Sequence, residues 1–280
     1  MELQNFFIES DDYGGIEQIC SRSAIAHFYL SGQGLEIGAL HKPVQFSKDK
    51  CTIKYVDYKS LAENRLRYPE LANETIVNTD IIDDGFTLTM VPDESQDFII
   101  ANHALEHSPD PYGTLLKWRS KLRHNGVIYV AVPIAEKCYD KGRPTTTLEH
   151  LIIDHTLFTS LRKELVLRVT ESHIWEFLTV SDRNIRVMNG MQDASEPEKK
   201  QLQSDLINGL KQALENASSY DELMNAHINK INRIYDIHYH TFTPKSYEFF
   251  LQYFCNQTNC KLENVIKNGS GECIGIMRKV

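Results

Sequence analysis

A chain of 280 residues, 41% of them apolar, can hold one large domain with an insertion or two modest ones; its net charge of −8 argues against nucleic acid as the main partner. No run approaches the length of a bilayer span, and the acidic opening MELQNFFIESDDYGG lacks the basic-then-apolar order of a secretion signal. The six scattered cysteines contain no CxxC pair, which excludes a zinc ribbon or a thioredoxin-like site and leaves mostly buried thiols in a cytoplasmic protein.

Five apolar, β-rich runs alternate with helical or turn-rich segments through the first half: GLEIG (34–38), TIKYVDY (52–58), ETIVNT (74–79), DFIIAN (97–102) and GVIYVAVP (126–133). Runs apolar on both faces, separated by crossover-sized segments, predict a Rossmann-like, doubly wound and mostly parallel α/β sheet. Segment 112–124 puts Leu115, Leu116, Trp118 and Leu122 on one helical face, with Asn125-Gly126 ending it. After Pro133 the alternation stops, and residues 140–240 read as a mainly helical insertion, a substrate lid or a dimer surface, within a core of 1–139 and 241–280. Pro197 opens an amphipathic helix carrying Leu202, Leu206, Leu210 and Leu214, and 220–235 continues with Leu223, Met224, Ile228, Ile231 and Ile234. Thr243 and Pro244 start a further helix. The runs CKLENVIKN and GECIGIMRKV, joined at Asn268-Gly269-Ser270-Gly271, then form a hairpin that completes seven strands with an antiparallel C-terminal one.

Ligands of such sheets bind beyond the carboxyl ends of the strands. A nicotinamide dinucleotide calls for GxGxxG after the first strand, which Gly34 and Gly38 do not satisfy, and no GxxxxGK[ST] is present for a phosphate loop. What occurs instead is Glu36 and Gly38 at the end of the first strand, with Asp57 ending the second, 21 positions beyond Glu36. A carboxylate at Asp57 can accept both hydroxyls of a ribose. Asp80, rivalled by Asp83 and Asp84, closes the third run within reach of an exocyclic amine, and Asn102 ends the fourth.

These segments resemble the class I S-adenosylmethionine-dependent methyltransferases: LEIG, YVD, NTD, DFIIANHALEHSPDP and LRHNGVIYVAVP stand where that family has its successive motifs. The resemblance spans roughly 30–135 and 241–280 and implies S-adenosylmethionine as cofactor, bound by Glu36, Gly38, Asp57, Asp80, Asn102 and Glu106. The family's glycine-rich loop, E-x-G-x-G-x-G, is altered here, with Leu40 and Lys42 replacing two glycines. The EIGAL…P opening is similar to a branch associated with bacterial surface glycans, which implies a small polar or glycan acceptor.

The acceptor side falls to the insertion. Thr147 can cap a helix that places His150 and Asp154 four apart on one face. His150 would be the base and Asp154 its orienting partner, with Arg143, Thr147 and His107 on the acceptor. His238 and His240, two apart in DIHYHTFTP, are further candidate bases. A divalent metal at His150, Asp154, His238 and His240 is the weaker alternative to a polar pocket lining, so no metal is assigned. The expected activity is O-methylation, against the alternative of a binding protein that kept the fold and lost catalysis.

Overall fold

The computed structural model of this chain describes residues 21–46 and 49–280; the opening MELQNFFIESDDYGG and Cys20 lie outside the described residues. Strands β1 (Gly32–Ile37), β2 (Cys51–Asp57), β3 (Ile81–Ile82), β4 (Gln96–Asn102), β5 (Leu122–Pro133), β6 (Cys260–Asn268) and β7 (Glu272–Lys279) form one seven-stranded sheet. Its order is β3-β2-β1-β4-β5-β7-β6. The first five strands pair in parallel, and β7 runs antiparallel to β6. This is the expected Rossmann-like architecture.

Central β4 shows why: Phe98, Ile99, Ile100 and Ala101 are all 0% exposed, so both faces of the strand are covered. Gly34 on β1 is required by this proximity, because a Cβ there would come within 2.5 Å of the Phe98 carbonyl oxygen. Helix α1 (Arg22–Tyr29), capped by Ser21, lays Ile25, Ala26 and the following Leu30 on Phe98, Ile100, Tyr129, Ile274 and Ile276. Each large side chain so buried contributes about 1.5–3 kcal/mol.

Two sequence expectations shift. The run 74–79 is not a strand; β3 begins only at Ile81. Its backbone is drawn elsewhere, for Val77 N–H donates to Leu40 O in the turn after β1. Helix α3 (Pro111–Lys121), which follows α2 (Leu61–Arg67), stops before Leu122, and Asn125-Gly126 lies inside β5. There the β4 register jumps from Gln96–Leu122 to Phe98–Val127, with Asn125 in a left-handed turn of the backbone (φ 64°).

The chain divides into two compact units. A sheet unit holds the described residues up to Ala104, with Leu116–Val132 and Phe250–Val280; a helical unit holds Leu105–Leu115 and Pro133–Phe249. The helical unit therefore reaches beyond 140–240 at both ends. It contains α4 (Leu148–Thr159), α5 (Lys163–Glu176), α6 (Asp182–Met188), α7 (Glu196–Leu214) and α8 (Tyr220–His227), and α9 (Pro244–Thr258) runs across its boundary. Ser195 and Glu198 form a capping box at the start of α7, and Thr243 Oγ1 accepts from Ser246 N–H at the start of α9. Leu206, Leu210 and Leu214 are buried, with α7 packed on α5 and α8, so the apolar face of that helix is spent within its own unit. The expected helix over 220–235 is α-helical only to His227, then widens into a π turn, Ile228–Asn232. Among the described residues no helix is long and apolar enough to cross a membrane, and Cys51, Cys138, Cys255, Cys260 and Cys273 are free, with Cys255 and Cys273 buried.

Candidate active site

At the end of β1 the Glu36 side chain is fully buried and turned toward its own loop. Val44 N–H donates to both carboxylate oxygens, at 3.0 and 3.1 Å, and Asn102 Nδ2 donates to Oε1 at 3.3 Å. The loop after β1 is thus tied around this carboxyl, whose pKa burial pushes up to about 7. Leu40 adopts the left-handed conformation (φ 46°) even though glycine is absent. Gly38 is left-handed too (φ 64°), and a Cβ there would meet nothing within 4 Å, so open space lies beyond the strand.

On β2, Asp57 sits at the strand's carboxyl end, its Oδ1 accepting from Lys59 N–H at 3.0 Å. Burial raises its pKa, partly offset by hydrogen bonds from Lys59 and Asn64. Asp80 does not close a strand as expected. It precedes β3, is exposed, and its Oδ2 accepts from Tyr55 N–H at 2.9 Å. Asp83 and Asp84 hold the carboxyl end of β3 instead. Their oxygens are consumed locally, Asp83 by Asp84 N–H, Thr89 Oγ1 and Met90 N–H, and Asp84 by Phe86 N–H and Thr87. Burial lifts Asp84 to about 6. Ile82 beside them is 58% exposed.

The end of β4 carries a pair that sequence reasoning missed. Asn102 Oδ1 is buried without a hydrogen-bond partner among the described residues. The next residue, His103, is left-handed (φ 53°), and its Nε2 lies 2.8 Å from Glu272 Oε2. Glu272 also accepts from Arg22 and from Asn268 Nδ2. Burial works to raise its pKa, but the bonds from His103 and Arg22 outweigh that and hold it down to about 2. Arg22, Lys42, Ser21, Ser23, Asn268 and Ser270 line a cleft of about 560 Å³ that Glu272 also borders. No sequence signal joins His103 to a glutamate 169 positions away.

Residues 32–130 match the family model described as a methyltransferase domain. This part of the chain is similar to a methyltransferase domain. Its methyl donor is S-adenosylmethionine. No curated protein matches the chain. Among solved structures, a SAM-dependent methyltransferase from Methanosarcina mazei is 15% identical over 91% of this chain and 97% of its own, with a TM-score of 0.41. The CurJ carbon methyltransferase is 9% identical with a TM-score of 0.39, over 90% of this chain, which spans about half (49%) of that protein. A putative Zn-dependent alcohol dehydrogenase from Rhodobacter sphaeroides is 11% identical over 94% of this chain and 91% of its own, with a TM-score of 0.46. Similarities this low decide nothing about the chemistry.

The methyltransferase domain fits its donor on the chemistry of its own groups. It offers open space at Gly38, a carboxylate at Asp57 for a ribose diol, and the unmatched acceptor Asn102 Oδ1. The remaining expected residues belong to the helical unit. Thr147 caps α4, accepting from His150 N–H at 3.2 Å. Arg143 is buried, its Nη1 donating to Asp140 Oδ1 and His238 O and its Nη2 to Tyr239 O, so these donors are spent on its own unit. His238 is buried with both ring nitrogens engaged, Nδ1 by Asp140 Oδ2 and Nε2 by the Tyr139 hydroxyl, each at 2.5 Å. Glu106 is 0% exposed with its carboxylate 3.9 Å from His238 Nε2. His107 Nδ1 donates to Ile237 O, which makes the ring a strut between loops. His150, Asp154 and His240 do converge, as the sequence suggested, but the fourth member is His173 rather than His238.

Proposed function

We propose that the chain transfers the methyl group of S-adenosylmethionine to a hydroxyl oxygen of a small polar, sugar-containing acceptor that bears an anionic group. The observation that carries this reading is the His103–Glu272 pair at the end of β4, beside a cleft lined by two cations, three serines and an asparagine. S-adenosylmethionine supplies an electrophilic methyl carbon on its sulfonium. Asp57 holds the ribose hydroxyls, and exposed Ile82 offers an apolar face to the adenine. Glu272, ionised because its pKa is held near 2, can only accept hydrogen bonds. When the ring donates from Nε2 to Glu272, its Nδ1 lone pair is the one left to take the hydroxyl proton. The imidazole has the freedom this needs, its side chain being 44% exposed. Lys42 holds the acceptor's anionic group, with Arg22 held beside it against Glu272, while the serine hydroxyls and Asn268 hydrogen-bond its polar rim.

Calorimetry of S-adenosylmethionine binding, followed by donor consumption against a panel of nucleotide sugars and glycans, tests this. Asp57→Ala should weaken donor binding by about 10–100-fold, the loss of a charged hydrogen bond. His103→Gln should lower kcat by about 10²–10⁴-fold and leave donor affinity unchanged. An unaltered kcat in that variant removes His103 from the chemistry. The two lost loop glycines favour a second reading, a binding protein without turnover. It predicts donor binding with no consumption on any acceptor.

A further inference from the structure

In the helical unit, α4 supplies His150 and Asp154 from one face, α5 supplies His173 near its end, and the segment leading into α9 supplies His240. Four ligand-type atoms meet there. His150 Nε2 lies 3.2 Å from His173 Nε2 and 3.2 Å from Asp154 Oδ2; Asp154 Oδ2 is 3.3 Å from His173 Nε2 and 3.7 Å from His240 Nε2. All four lie within 4.8 Å of one another.

Hydrogen bonds alone leave this cluster incomplete. The two facing Nε2 atoms of His150 and His173 compete for the same carboxylate oxygen. His240, 0% exposed, has no hydrogen-bond partner among the described residues at either ring nitrogen, and Asp154 Oδ1 is equally unmatched. An unpaired polar group of this kind costs about 1–3 kcal/mol. A tetrahedral ion with ligand distances of about 2.0–2.1 Å would place its ligands roughly 3.3–3.4 Å apart. The three separations among His150, Asp154 and His173, at 3.2, 3.2 and 3.3 Å, lie close to that edge length, and His240 stands slightly farther off at 3.7 Å from Asp154.

We propose that His150, His173 and His240, through Nε2, and Asp154, through Oδ2, bind one divalent transition metal of the zinc type in the helical unit. Three imidazoles and a carboxylate suit zinc and its neighbours over calcium or magnesium, which prefer oxygen. Four protein ligands close a tetrahedral shell, so the ion is structural: it clamps α4, α5 and the segment before α9 together and leaves no open position for a substrate. The His150 side chain, 41% exposed, provides the route in. This inference is independent of the proposed acceptor chemistry.

The test is metal content of the full chain purified without chelator, then stripped and titrated with Co²⁺. About one equivalent of zinc-type metal per chain and a visible band typical of tetrahedral cobalt are expected. His173→Ala and His150→Ala should each weaken Co²⁺ binding beyond the roughly 10–100-fold that an outer partner costs. Since His150 is partly exposed, its variant keeps the test valid should His173→Ala fail to fold. His107→Ala, outside the four, should retain the band. Wild-type protein without metal and without a cobalt band overturns the proposal. So does a band lost in His107→Ala but kept in His173→Ala, which would place the ion at the Glu106–His107–His238 group.

Discussion

His238 and His240 stand two residues apart in one extended segment, are buried to within 3% and 0% exposure, and have opposite surroundings. Around His238 every nitrogen is used: Asp140 and Tyr139 take the ring, and Asp140 is in turn held by Arg143 Nη1 and by Ser181 Oγ at 2.6 Å. Although burial works against it, these bonds press the Asp140 pKa well below the usual carboxylate range. Around His240 the nitrogens are idle, and burial drives its pKa well below the ordinary histidine value. A completed network holds the fold by itself; a buried cluster with polar atoms left over has ligand capacity to spare. Residue type and spacing are the same in both, so only the partners separate them.

Removing the hub of the completed network should have the largest effect. Asp140→Ala strands Arg143, His238 and Ser181 in the interior and should cost about 3–5 kcal/mol in denaturant unfolding. A loss below about 1 kcal/mol would show that the network is dispensable.

A third buried histidine sharpens the contrast through pH. His227 is satisfied as a neutral ring, with Nδ1 donating to Leu223 O and Nε2 accepting from Thr170 Oγ1. Burial lowers its pKa from 6.5 to about 4. The folded value lies below the unfolded one, so the unfolded chain binds the proton first, and stability falls as pH drops from about 6.5 toward 4. The shift is on the order of 3 kcal/mol. Glu272 adds a further loss between 4.5 and about 2. Glu36 has the opposite sign: its raised pKa stabilises at low pH and that contribution is lost between 4.5 and about 7. Glu36 and the raised Asp84 therefore oppose His227 between pH 7 and 4, and the test is a difference: the stability of His227→Leu relative to the wild type should rise as pH falls through that range.

The smallest effect is the one with the reversed sign. In chelator, His240→Leu removes two unmatched buried nitrogens and should leave stability unchanged or raise it by about 1–3 kcal/mol. With zinc present the wild type should overtake the variant, because a ligand that binds only the folded state stabilises it. A clear loss of stability in chelator would mean that His240 already has partners.

Much of the sheet and of the helix starts was legible because burial on both faces leaves unbroken apolar runs, as in 98–101, and because Asn268–Gly271, the caps at Thr147 and Thr243 and the proline at 197 are local signals. The third strand is misplaced because ETIVNT has the composition of a strand while its Val77 amide bonds to Leu40 in the loop after β1. That error also placed Asp80 at a strand end that Asp83 and Asp84 occupy. Asp57 ends β2 as expected, because its distance from Glu36 is a sequence quantity. His173, 19 positions from Asp154, and Glu272, 169 positions from His103, were not, since a contact across the fold leaves no local trace. Arg143 looked like an anion holder for the same reason: its acceptors are carbonyls of residues 238 and 239, which a sequence does not display.

Strand β7 takes an interior place between β5 and β6, and Glu272 at its head fastens Arg22 and His103. During synthesis, the helical unit has therefore emerged almost entirely before the strand that completes the sheet appears. Its neighbour β5 must wait on the ribosome with an unpaired edge for well over a hundred residues. Such an edge invites wrong partners. Nascent chains stalled ahead of Glu272 should accordingly be clients of holding chaperones, whereas those stalled past Lys279 should not.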